Sequence, residues 1–153
     1  MAEPADDLDT LLNHLLQHAL ERLEAEGDFH PFAAAIDSDG ELRMVGMEPE
    51  SEEPSPQEIV DQLVASLAAA AERGEIRASA ICANVTLPSE AGEAEAALVQ
   101  LEHREDDPID IALPYEAHGD HLHTGELVSG AGTSRVFRRS SASPGADAER
   151  ANL

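Results

Sequence analysis

Leu8, Leu11, Leu12, Leu15, Leu16, Ala19 and Leu23 recur at steps of three and four residues, which draws one apolar stripe along a helix. The spacing predicts a helix over about residues 6 to 26, stopped by Gly27. A second stripe runs through Ile59, Val60, Leu63, Val64, Leu67 and Ala70. It follows Ser55-Pro56-Gln57-Glu58, the form of a capping box with proline at the first helical position, and Gly74 closes it. Between the helices, two short apolar runs flank Asp39-Gly40, a favourable hairpin turn because glycine accepts positive φ and aspartate tolerates it.

After Gly74 the period changes. The stretch IRASAICANVTL is apolar at nearly every position, as in a central strand covered on much of both faces. AEAALVQLEHR makes the next strand. In the one after it Ile109, Ile111, Leu113 and Tyr115 alternate with Asp110, Ala112, Pro114 and Glu116, the pattern of an antiparallel strand with one wet face. Pro114 favours an edge or end position. ELVSGAGTSRVFRR adds a short strand ending near Phe137. The order helix-β-β-helix-β-β-β implies an α+β fold, with a single antiparallel sheet and both helices packed on one face. One globular domain is expected over residues 1–138, and residues 139–153, with nothing to bury, form a disordered tail.

Composition narrows the class. The 153 residues suffice for one domain, and with aromatics at 3% the core must come from Leu, Ile, Val and Ala. Phe29, Phe32, Tyr115 and Phe137 anchor it. The start of the chain lacks the basic and apolar regions of a signal peptide, and no apolar run reaches membrane length, so a cytoplasmic bacterial protein is expected. Cys82, alone in an apolar run, is expected to be a buried thiol.

Charge is the extreme feature. Asp and Glu number 32 against nine basic residues, all arginine, for a net charge of −23. Such a surface repels nucleic acid and anionic lipid. It suits a basic protein partner, or a salt-tolerant cell in which self-repulsion is screened. The acid is spread over the chain rather than gathered on one element, which favours adaptation of the whole surface.

The chemistry-bearing motifs mostly fail on spacing. A calcium loop with Gly40 at its sixth position would place Ala35 at the first and Gly46 at the twelfth, where carboxylates are required. The hairpin acids Asp37, Asp39 and Glu41 could pair with His30 or His103 for acid-base work, but their crowding in a turn makes them turn formers. His14 and His18 stand one helical turn apart, off the leucine stripe, as solvated residues. The remaining metal candidate is HGDHLH, in which His118, Asp120, His121 and His123 offer imidazole and carboxylate ligands for zinc or nickel. Glycine-rich phosphate loops, nucleophile elbows and HExxH helices are absent from the sequence.

Phe29-His30-Pro31-Phe32, followed by Asp37, Asp39 and Gly40, resembles the F-x-P-F hairpin of a group of small bacterial α+β proteins, and LEHREDDPIDIALPY is similar to their paired strands. The resemblance spans roughly residues 8 to 137 and implies a fold without an assigned activity. The element order also resembles roadblock and profilin-type domains, which implies a dimerising interaction platform. The expectation is a non-catalytic, cofactor-free accessory or regulatory module with a protein partner, basic if the acidity is functional, or a second copy as a homodimer. A metal-dependent enzyme or metal-binding protein built on His118–His123 is the alternative.

Overall fold

The leucine stripe of the first helix lies on a sheet face that mixes alanine with larger apolar residues. The computed structural model describes residues 4–45, 55–89, 92–118 and 121–137. Helix α1 (Pro4–Glu26) precedes the hairpin β1 (Phe32–Asp37) and β2 (Leu42–Val45). Helix α2 (Pro56–Glu72) leads into β3 (Ile76–Ser89), β4 (Gly92–His103), β5 (Asp106–His118), β6 (His121–Thr124) and β7 (Val128–Ala131). All strand pairs are antiparallel, in the order β2-β1-β3-β4-β5-β6, with β7 also on β5. The α+β class, the two helices and the single antiparallel sheet are as the pattern predicts. So are the local signals. Ser55 Oγ accepts the Glu58 N–H at 3.1 Å as the α2 cap, and Gly40 adopts φ +90° in the hairpin turn.

The two helices, however, lie on opposite faces of the sheet, not on one. Leu11, Leu12, Leu15, Ala19 and Leu23 of α1 pack on Ala34, Ile36, Ala78, Ala80, Cys82, Val99 and Leu101. Leu63 and Leu67 of α2 pack on Ala33, Ala35 and Ile81, the residues between. Side chains alternate across a strand, so consecutive alanines of β1 feed different cores, and residues 33–37 are all buried. The small alanines of the strands leave room for the leucines that both helices set against the sheet.

The outer edge of β5 also differs from expectation. Instead of one late strand, β6 pairs with Tyr115–His118 and β7 with Ile109–Ala112. They form one interrupted strand, and the interruption sits opposite Pro114, whose carbonyl accepts the Gly125 N–H at 2.8 Å. Pro108 likewise accepts from Gly132 at 3.1 Å just past the other end of β7. Both prolines therefore turn the side that has no N–H toward the outer strand. Pro114 is not on an edge strand; the ladder beside it is broken instead. Beyond β7 the chain turns under the α2 face, where Val136 and Phe137 are buried. The tail expected from Arg139 onward lies outside the described residues.

Candidate functional site

An aspartate in the first turn of α1 accepts hydrogen bonds from two strands. Arg77, the one charge in the apolar run of β3, donates through Nε and Nη2 to Asp7 at 2.9 and 3.0 Å. His103, at the end of β4 and 2% exposed, bonds Asp7 Oδ2 through Nε2 at 2.9 Å. The Glu105 N–H donates to His103 Nδ1 at 3.0 Å, which assigns the ring hydrogen to Nε2. Burial pushes the Asp7 carboxyl up, but the hydrogen bonds from Arg77 and His103 outweigh it and hold the group below the usual carboxylate range. The β1–β2 turn closes the far side, since a Cβ on Gly40 would lie 3.3 Å from the Arg77 guanidinium.

This triad looks catalytic by composition but not by geometry. Both imidazole nitrogens are engaged, one by a carboxylate and one by a backbone N–H, so no lone pair is left to take a substrate proton. The guanidinium lies between Asp7 and the turn. The arrangement fastens the start of α1 to the sheet, over sequence separations of 70 and 96 residues.

A second buried carboxylate acts in a similar way on the other face. Glu102 accepts the backbone N–H groups of Arg135, Val136 and Phe137 at 3.0 to 3.2 Å. Three successive N–H groups converging on one anion form a small nest, and here the anion is the chain's own. Nearby Asp110 is raised above the usual range, first by burial and further by Glu102, against the pull of Arg135. A third network joins Tyr115 Oη to Asn84 at 2.6 Å and Asn84 Nδ2 to Asp28 at 2.7 Å, which ties the loop after α1 to the sheet.

The remaining polar residues are turn chemistry. Asp37 accepts the N–H of Asp39 at 2.9 Å, that of Glu41 at 3.0 Å and Arg43 Nε at 2.7 Å. The Glu41 bond and then the Arg43 bond hold its carboxyl below the ordinary range. It forms the turn, as expected, and pairs with neither His30 nor His103 in these bonds. His14 is exposed, and His18 packs edge-on against Phe32 with ring centroids 4.7 Å apart. Cys82 is fully buried, and burial pushes its thiol up to about 12, far from a nucleophile's range.

Of the metal candidates, Asp120 lies outside the described residues. His118 pairs with His121 in the β5–β6 ladder, and His123, which is exposed, pairs with Glu116. Among the described residues no group of three or more His, Cys, Asp or Glu side chains is gathered to hold a metal.

Asp7, His103 and Glu102 are buried polar groups that the hydrophobic pattern does not predict. One signal was available: an arginine inside an apolar strand needs a buried anion near it. Comparison with known families, curated proteins and solved structures finds no match.

Proposed function

We propose that this protein works by binding another protein, as an accessory or regulatory module without chemistry of its own, and that the contact runs along the free edges of its sheet. One observation carries this reading. Among the described residues the large apolar side chains left to water are Met44, 45% exposed, Leu127, 52%, and Val128, 58%. Met44 is on edge strand β2, and Leu127 and Val128 sit where outer strand β7 begins. Sheet edges are usually guarded by lysine, proline or bulges. In β2 the only charge, Arg43, is drawn onto Asp37, and β7 reads VSGA.

The net charge of −23 suits a basic partner in a cytoplasmic setting and opposes nucleic acid and anionic membranes. No described helix is long and apolar enough to cross a membrane. A second copy of the chain is the other partner such edges accept, and since two like-charged protomers repel, homodimerisation should strengthen with salt. The test pairs lysate capture with sedimentation over a salt series, using the wild type and a Leu127→Glu, Val128→Glu variant. Basic proteins held by the wild type, or a salt-promoted dimer, should be lost in the variant. A wild-type monomer at every salt concentration, with identical proteins on both baits, would exclude the reading.

The register of β5–β6 supports a second reading. It sets His118 opposite His121 and Glu116 opposite His123 along the backbone ladder. The ladder keeps His118, His121 and His123 close along the chain, and with Asp120 between them the sequence offers imidazole and carboxylate ligands for zinc or nickel. Metal analysis of untagged protein decides it: a stoichiometric ion that disappears in His123→Ala would make the hairpin a metal site, and a metal-free wild type would remove it.

A further inference from the structure

We propose that the free edge of β7 takes an extended, lysine- or arginine-bearing segment of another protein as an added strand, with a cationic side chain laid over Leu8 and Ile109 to reach Asp106 and Asp107. The proposal rests on the edge-binding reading above and names its occupant.

The main chain supplies the first argument. Gly132 donates inward to Pro108, and hydrogen-bonding direction alternates along an antiparallel strand. Gly130 and Val128 therefore also point at β5, opposite Asp110 and Ala112, while Ser129 and Ala131 turn their N–H and C=O groups away from it. No strand pairs with that side among the described residues. An added strand would find the donors and acceptors it needs there, the basis of recognition by strand addition.

The groove supplies the second. Ser129 and Ala131 pair with Ile111 and Ile109, on the α1 face of the sheet. Because both are small, a shallow groove of about 370 Å³ stays open beside them, lined by the half-buried Leu8 and Ile109 and by the exposed Asp106 and Asp107. A lysine or arginine matches this lining, with its methylene stem along Leu8 and Ile109 and its charged head beside the carboxylates of Asp106 and Asp107. The chain's charge of −23 selects a cationic occupant over an acidic one.

A blocked peptide alternating lysine and valine, and its counterpart with glutamate for lysine, are the probes, read by calorimetry and by hydrogen exchange. The lysine peptide should bind one to one, slow the exchange of Ser129 and Ala131, and weaken with salt; the glutamate peptide should not bind. Ser129→Pro removes an outward N–H without touching the bonds to β5. It should lower affinity about tenfold or more, the effect of one main-chain bond lost with its partner left unpaired, while circular dichroism and melting stay unchanged. Asp107→Asn should weaken the lysine peptide and flatten its salt dependence. Lysine-peptide binding indifferent to Ser129→Pro would mean diffuse charge attraction and overturn the proposal, as would no binding, or β7 amides already protected by a second copy. If the peptide fails while the Leu127→Glu, Val128→Glu variant still loses its partners, the edge reading stands and only the occupant is wrong.

Discussion

Replacing Asp7 by alanine should destabilise the protein by about 3 kcal/mol in denaturant titration. The deletion leaves Arg77 and a buried His103 facing a void that held their shared acceptor, and removing one partner of a buried charge cluster typically costs about 3 to 5 kcal/mol. The lower end applies because the Arg77 side chain is 20% exposed and can turn toward water. The effect should depend on pH in a definite direction. The native carboxyl lies below its ordinary value of 3.8, so its contribution is fully present above that value and is lost as the pH falls through the native one. The gap between wild type and Asp7→Ala should therefore be wide at neutral pH and narrow below about 4. A constant gap would mean that lost packing, not charge, is what the substitution removes. The paired changes Asp7→Ala and Arg77→Met should cost less than the sum of the two singles, since the arginine needs no anion once it is gone.

Glu102→Ala should cost about 2 to 3 kcal/mol, because three backbone N–H groups lose their acceptor together. Arg135 is exposed and can turn its N–H to water, but Val136 and Phe137 are buried and cannot. Part of the cost returns through Asp110, whose ionisation Glu102 opposes. Hydrogen exchange gives a sharper readout than melting. The amides of 135–137 should lose protection far more than those of β3, since Glu102 holds this segment locally to the α2 face. Glu102→Gln keeps one acceptor oxygen and should fall between. Uniform loss of protection across the sheet would show that the strap and the core unfold as one unit.

The periodic segments of the fold were legible in the sequence and the choice of face was less so. Seven apolar positions in α1 and a capped α2 announce themselves, because a stripe and a cap are local properties. The placement of the helices was written only indirectly. AAAI in β1 and ASAIC in β3 are runs rather than alternations, and a run means cover on both sides, which a single layer of two helices cannot provide. Buried acids are harder to see. Glu102 follows Gln100 in a polar alternation that reads as a wet face, and only the return of residues 135–137 desolvates it. Asp7 looks like an ordinary first-turn helix acid until Arg77 and His103 arrive from strands far along the chain. The interrupted outer strand depended on Pro114 facing outward, and that depends on register, which a single strand cannot report.

Pro108 and Pro114 set a limit on whatever docks at this side. The outer strand they border is only four residues long, and its outward main-chain groups come from Ser129 and Ala131. A guest strand can thus zip up over a very short distance before the template runs out. Short zippers come apart quickly, and they do not seed the endless stacking by which unguarded sheets turn into fibres. The same two imino acids that break the ladder would make this a surface for brief, reversible encounters.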